Sequence, residues 1–435
     1  MAASFGDRRH TLGDYWTSTR GGMDSSLFGL PNDQTALVVG CGIGVAMMVF
    51  VNLVLMGLQR RKQGATACPA TAWPAGKPLY TDTSEYPDWD DEDKKGSFMK
   101  ICDMLVREVL EEMPRMYEMP DGEVKWVERM LHYNVKGGKM NRGLMVVESI
   151  KCLAKHNGKT LTPKEISRFA VLGWAIEWMQ AWLLMADDVM DDSETRRGQP
   201  CWYKNKDVQK IAINDAFFVE MLVFKMLKRH FGREAYYGQL LDLFLETTFQ
   251  TEVGQLLDTL CLNLDIEDFT IGRWTLIVKY KTAFYSFYCS VAMAMIVFGI
   301  TDQAAYDNAR EILMVMGIYF QAQDDYLDCY GTHEQIGKIG TDIRDKKCGW
   351  LFCKAWEKAT TEQKKLLKDN YGYGNNPSKE EKVKKLYRDM KLEDLYSKYE
   401  EDSYKKIMSR KGTVEKQLPW EIFDIFLKKV YKRSK

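Results

Sequence analysis

Two acidic clusters, Asp187-Asp188-Val189-Met190-Asp191 and Asp324-Asp325-Tyr326-Leu327-Asp328, constrain this chain more than any other feature. Each closes a long apolar run with helical periodicity, and each places carboxylates at i, i+1 and i+4. On a helix, residues i and i+4 lie one turn apart on the same face. A single cluster of this kind is ordinarily solvated helix-end surface. Two with the same spacing, each ending an apolar helix, predict two faces meeting over a shared cavity. Carboxylates gathered in a partly buried cavity need compensating charge. Hard divalent cations take oxygen ligands, and Mg2+ usually completes its shell with water and substrate phosphate. The pattern therefore predicts a Mg2+–diphosphate site between helices.

The rest of the chain sets limits around that site. Its 435 residues carry 61 basic and 61 acidic side chains, a balance that excludes a general nucleic-acid binder. Ten cysteines form no C-x-x-C pair and only five histidines are present, so the thiols read as reduced and structural, in a cytosolic setting. Residues 1–35 form a short polar segment. Residues 36–58 are apolar apart from Asn52 and are followed by Arg60-Arg61-Lys62. A bilayer-spanning helix needs about 20 apolar residues, so this stretch reads as a transmembrane anchor, and its basic flank places the bulk of the chain in the cytoplasm. A cleaved targeting segment is the alternative, to which Asp7, Asp14, Asp24 and Asp33 are poorly suited. Residues 59–97, rich in Pro, Ala, Thr and Gly before the acidic run Asp88–Asp93, read as a flexible linker.

From residue 98 to 435 apolar side chains recur at three- and four-residue spacing, which predicts one all-α domain built as a large helical bundle. Thr162-Pro163-Lys164-Glu165 is a capping box with proline at the first helical position, opening the run that ends at the first aspartate cluster. The second run extends from about Gln303 to Gly331, a candidate C-cap. Five basic stretches accompany the aspartates. Gly137-Gly138-Lys139-Met140-Asn141-Arg142-Gly143 frees the backbone so that Lys139 and Arg142 can converge on one anion. Thr195-Arg196-Arg197-Gly198-Gln199 places adjacent arginines beside the first cluster, where they suit two different anions or a pair of surface salt bridges. Lys281 and Thr282 interrupt an apolar, aromatic helix, and a lysine buried there needs an anionic partner unless its head reaches water. Gly337-Lys338-Ile339-Gly340-Thr341-Asp342 and Asp345-Lys346-Lys347 add loop cations after the second cluster.

Taken in order, the two aspartate motifs, GGKMNRG, TRRGQPCWY, VKYKTAFYSFY and GKIGTDI make residues 98–435 resemble the farnesyl diphosphate synthases, class I trans-isoprenyl diphosphate synthases. The resemblance implies the isoprenoid synthase bundle and a Mg2+-dependent, head-to-tail condensation of isopentenyl diphosphate with dimethylallyl or geranyl diphosphate. It implies three Mg2+ per active site, ligated by Asp187, Asp191 and Asp324 with Asp188, Asp325 and Asp328 in support. Arg196, Lys281, Lys338 and Lys347 would hold the allylic diphosphate. Lys139, Arg142, Gln180 and Arg197 would hold that of isopentenyl diphosphate, with Arg433 closing over it. Thr282 and Gln321 would line the cavity where the carbocation forms. A homodimer is implied as well.

Product length in the family depends on the residues just before Asp187, commonly two phenylalanines in C15 synthases. Here Trp182 and Leu183 stand there, one larger and one smaller, so a C10, C15 or longer product remains open at this point. Cys289-Ser290 likewise replaces the family's Leu-Pro. A terpene synthase derived from this scaffold is the nearest alternative, but it would not need Lys139, Arg142, Gln180 and Arg197. A non-catalytic scaffold subunit would not need both aspartate motifs.

Overall fold

Helix α4 (Pro163–Met190) is the spine of the structure, a computed structural model that describes residues 80–331 and 340–431. The expected capping box is present at its start: Thr162 Oγ1 accepts from Glu165 N at 3.3 Å, and Glu165 Oε2 accepts from Thr162 N at 2.8 Å. The helix is apolar nearly all round because it is packed on several sides. Helices α1 (Lys94–Tyr117), α2 (Asp121–Asn134), α3 (Asn141–His156) and α5 (Ile211–Phe231) all contact it. Although α4 is long and apolar enough to cross a bilayer, most of it is buried inside the bundle. Trp174 stacks on Phe98 of α1 at 4.4 Å and donates its indole N–H to the Phe98 carbonyl at 2.7 Å. Burying a large apolar side chain contributes about 1.5–3 kcal/mol, and Trp174 and Trp178 are both fully enclosed.

Close helix crossings depend on glycine. A Cβ on Gly143 would lie 2.7 Å from the Gly173 carbonyl oxygen, so α3 and α4 meet backbone to backbone. Between α4 and α5, the two-residue strands β1 (Thr195–Arg196) and β2 (Gln199–Pro200) form a hairpin. Helix α6 (Tyr237–Cys261) then leads to α7 (Ile271–Val278), a π-helical segment (Lys279–Tyr288) and α8 (Cys289–Val297). The apolar, aromatic helix expected around Lys281 is present, but its middle is not α-helical. Instead the Cys289 N–H bonds five residues back, to Phe284 O, as in a π-helix. The Cys289-Ser290 pair, where the family commonly has Leu-Pro, begins the return to α-helix and is fully buried. Helix α9 (Gln303–Tyr330) packs across the π segment. Gly331 does cap α9, but in an extended conformation that makes no use of glycine's left-handed freedom.

The remaining helices, α10 (Trp350–Lys358), α11 (Thr361–Asn370), α12 (Pro377–Asp389), α13 (Leu392–Ser409), α14 (Lys411–Val414) and α15 (Glu421–Val430), complete the described chain. Part of this C-terminal half encloses a second apolar cluster around Trp274, Trp350, Phe352 and Tyr387. Among the described residues the all-α expectation holds, with the small hairpin in addition.

The anchor expected at 36–58 lies outside the described residues, as do Lys338 and Arg433. The linker expectation for 59–97 fails from Tyr80 onward. Tyr86 and Trp89 are buried, Tyr86 Oη lies 2.6 Å from His230 Nδ1, and Trp89 N donates to Pro163 O at 3.3 Å. Asp93, in the supposedly solvated acidic run, accepts from Gly96 N and caps α1, which starts at Lys94 rather than at 98. Two aromatic side chains and one cap bind the segment that its polar composition suggested was free.

Candidate active site

The first aspartate cluster sits at the C-terminal end of α4, where Asp191 caps the helix. Two lysines from other elements reach it. Lys281 Nζ, in the π segment, lies 3.1 Å from Asp187 Oδ1 and 2.6 Å from Asp258 Oδ2 of α6. Lys347 Nζ, from the loop before α10, lies 2.9 Å from Asp191 Oδ2 and 3.3 Å from the same Asp258 oxygen. Gln255 Nε2, one turn before Asp258, donates to Asp187 Oδ1 at 2.9 Å. Burial alone would raise the Asp187 and Asp258 carboxyls, but the neighbouring cations outweigh it and hold both below the usual carboxylate range. Lys281 and Lys347 are held above the usual lysine range, where Asp187, Asp258 and Asp191 outweigh desolvation.

The hairpin explains how adjacent arginines serve different places. Its turn residues Arg197 and Gly198 both have positive φ, 54° and 78°, as a tight two-residue hairpin requires. Arg196, on the strand, pairs with Asp188, its Nε 3.0 Å from Oδ1, and reaches Asp187 Oδ2 at 3.5 Å. Arg197, in the turn, faces the glycine loop instead and donates to the carbonyls of Asn134 and Lys136, both at 3.3 Å. Gly137 and Gly138 also have positive φ, and a Cβ on Gly138 would press to 3.3 Å of Arg197 Nε. Arg142 enters the same region from α3. Its Nε donates to Ser286 Oγ at 2.8 Å, and its guanidinium lies 5.0 Å over the Tyr285 ring. Lys139 is exposed in the loop, and Gln180 is half-buried on α4.

The second cluster is less uniform than its sequence implies. Asp324 is half-buried on α9. Asp325 is buried and engaged at both oxygens: Oδ2 accepts from Trp274 Nε1 at 2.8 Å and Trp350 N at 2.7 Å, and Oδ1 from Gln321 Nε2 at 2.9 Å. Burial pushes its carboxyl up to about 6 despite these donors. Asp328 accepts from Thr341 N at 3.2 Å and Asp342 N at 3.0 Å, pinning the loop that leads to Lys347. Asp325 and Asp328 are thus occupied by donors from the surrounding chain, unlike Asp191, the i+4 carboxylate of the first cluster, which reaches Lys347. Asp188 is likewise engaged, by Arg196. Thr282 Oγ1 lies 3.4 Å from Gln321 Oε1, so the two cavity residues meet. Trp182 is buried in the main core and Leu183 half-buried against it.

Among the described residues no three metal-capable side chains form a ready-made cluster. Asp187, Asp191 and Asp258 are instead joined through two ammonium groups. An all-carboxylate donor set fits a hard, oxygen-seeking ion such as Mg2+. Sequence reasoning missed Gln255 and Asp258, whose i, i+3 spacing in an apolar helix was the available signal, and also Glu177 and Lys429. Lys429 Nζ, on α15, lies 3.5 Å from Asn141 Oδ1 at the edge of the glycine loop.

The polyprenyl synthetase family profile matches residues 124–390. The farnesyl pyrophosphate synthase of Saccharomyces cerevisiae is 46% identical over 347 residues, covering 79% of this chain and 98% of that protein. The farnesyl diphosphate synthase of Dictyostelium discoideum is 46% identical over 346 residues, covering 78% and 89%. A T. brucei farnesyl diphosphate synthase solved with risedronate superposes with a TM-score of 0.70 at 32% identity, covering 78% of this chain and 99% of that one. Sequence and fold together place this chain in the polyprenyl synthetase family, with the farnesyl diphosphate synthases.

Proposed function

We propose that this protein is a prenyltransferase that condenses isopentenyl diphosphate head-to-tail with dimethylallyl and then geranyl diphosphate, releasing farnesyl diphosphate. The observation that carries the reading is the division of labour in the Thr195–Pro200 hairpin. Arg196 serves the aspartate–lysine cluster, and Arg197 serves a second basic pocket with Arg142. Two anion subsites suit two diphosphates, and relatives at 46% identity bear the name of this activity.

Asp187, Asp191, Asp324 and Asp258 would hold Mg2+, three ions per site by family analogy, and bound Mg2+ supplies charge stabilisation for a departing diphosphate. Arg196, Lys281 and Lys347 bring fixed positive charge to the same leaving group. The hydroxyl of Thr282 and the amide of Gln321 present dipoles to the carbon that becomes electron-poor, while the buried aromatic residues Phe284, Tyr285 and Tyr288 of the π segment help keep water away. Lys139, Arg142 and Arg197 hold the second diphosphate so that its double bond lies beside that carbon, making the encounter effectively intramolecular. The released diphosphate accepts the proton lost in the final elimination, so no protein base is required.

A homodimer completes the reading. Ile213, Phe217 and Met221 on α5, and Phe249, Leu256 and Leu260 on α6, remain exposed at helical spacing, which suits a two-fold partner. The apolar stretch 36–58 would anchor the protein in a membrane with its synthase domain in the cytoplasm.

The test incubates the protein and Mg2+ with isopentenyl diphosphate plus dimethylallyl or geranyl diphosphate, and with each allylic diphosphate alone. A C15 prenyl diphosphate formed only when isopentenyl diphosphate is present is the expected mass-spectrometric result. A hydrocarbon or alcohol formed from an allylic diphosphate alone would overturn the proposal.

A further inference from the structure

The second anion subsite is built around a buried carboxylate that none of the sequence motifs contains. We infer that Glu177 is a positioning residue for the isopentenyl diphosphate subsite, fixing the start of α3 so that Arg142 and Arg197 face one anion. This rests on the two-substrate reading above.

Helix α3 lacks a cap of its own. Its N-cap residue, Met140, is left-handed at φ 50° and makes no side-chain capping hydrogen bond. Glu177 supplies the acceptor from α4. Its Oε1 takes the Gly143 N–H, in the peptide that follows Arg142, at 2.8 Å. The group is 6% exposed. The Gly143–Gly173 crossing is what brings it within reach, since a Cβ on Gly143 would sit 3.0 Å from Glu177 Cγ and 2.4 Å from the Phe98 ring. Arg142 is thereby held at both ends: the peptide that follows it by Glu177, its side chain by Ser286 and the Tyr285 ring.

Charge points the same way. Burial pushes the Glu177 carboxyl above its usual range, and the Gly143 N–H and the charges of Arg142 and Arg197 oppose that shift; Glu177 in turn acts on Lys429. Burial holds Arg197 below its usual range, and Arg196 and Arg142 push it further down, while Glu177 opposes the shift. Without that carboxylate, like charges gathered before substrate arrives would spread apart. With it, the subsite is organised in advance, and less free energy is lost in ordering it on binding.

The experiment compares wild type, Glu177→Ala and Glu177→Gln by steady-state kinetics, varying each substrate in turn. Calorimetry measures isopentenyl diphosphate binding in EDTA, and circular dichroism checks the fold. Loss of a buried acceptor and its charge should raise the Glu177→Ala KM for isopentenyl diphosphate about tenfold or more, with the allylic KM changed less than about twofold. Glu177→Gln keeps an acceptor but no charge, so a rise of about threefold is expected. An unchanged isopentenyl diphosphate KM, or equal rises for both substrates with helix content intact, would overturn the inference. Should Glu177→Ala not fold, Glu177→Gln decides by the same criterion. If wild type makes no prenyl diphosphate, the functional reading falls separately. The calorimetric comparison then decides, because weaker binding in the variants supports the positioning role and equal binding overturns it.

Discussion

Replacing Gly254 by alanine sets two opposing effects against each other. Alanine in place of a mid-helix glycine should stabilise α6 by about 0.5–1 kcal/mol through propensity. The structure argues for the reverse. A Cβ on Gly254 would lie 2.1 Å from Lys281 N, 2.5 Å from Lys281 Cα and 2.6 Å from the Tyr280 carbonyl carbon. All three are backbone atoms, so no rotamer change relieves the clash. Reaching ordinary contact at 3.4 Å requires α6 and the π segment to separate by 3.4 − 2.1 = 1.3 Å at this point. Overpacking of this kind typically costs about 1–3 kcal/mol, enough to reverse the propensity gain. Gln255 and Asp258 sit on the moving helix and Lys281 on the other side, so the Lys281–Asp258 and Gln255–Asp187 contacts open together. A displacement near 1 Å at a site that works by positioning lowers turnover about 10²-fold. Urea denaturation with steady-state kinetics tests this, and Gly238→Ala, on the same helix with nothing within 4 Å of the added methyl, is the control. Gly238→Ala should match or exceed wild-type stability at full activity. Wild-type stability and kcat in Gly254→Ala would refute the argument, because the close approach would then carry no strain.

Four further outcomes follow from the same geometry. Asp258→Asn removes the carboxylate shared by Lys281 and Lys347, and kcat should fall about 10²-fold or more with a higher Mg2+ requirement, read by titrating Mg2+ at saturating substrates. Because Asp187 and Asp258 are held below the usual range, their stabilisation is complete above about pH 4 and is lost as acid protonates them. Urea midpoints of wild type should therefore fall more steeply than those of Asp258→Asn on acidification to pH 3. Asp325 shifts the opposite way: with its carboxyl raised to about 6, ionisation costs stability above that pH and the cost fades as pH falls toward 3.8. Asp325→Asn, with one oxygen still able to accept from Trp274 and Trp350, should be more stable than wild type at pH 8 in EDTA, the gap narrowing below pH 6. Lys139→Ala should raise the KM for isopentenyl diphosphate well beyond that for the allylic partner, and equal shifts would count against the division of subsites.

Much of the site was legible because its chemistry imposes spacing. Carboxylates one turn apart at the ends of apolar helices, and basic residues in glycine-relieved turns, are local patterns that need no partner to be recognised. The capping box at Thr162 and the run of α4 are local for the same reason, since hydrogen bonds within four residues define them. The Tyr86–Trp89 segment was misread because its anchors are His230 and Pro163, far away in sequence.

The sequence by itself determined that this chain is a helical bundle carrying two acidic motifs, two sets of basic residues and the family to which they belong. Tertiary structure alone decided which of those charges face one another. Asp187 and Asp191 share lysines with Asp258, whereas Asp325 and Asp328 hold neighbouring backbone and indole groups. It also decided the π-helical register that carries Lys281 and Ser286 to two subsites, and the approach of Glu177 to the uncapped start of α3. The physical reason is range. Periodicity and capping are set by neighbours along the chain, but the partner of a buried charge is whichever helix packs against it, and that is fixed only when the whole core closes.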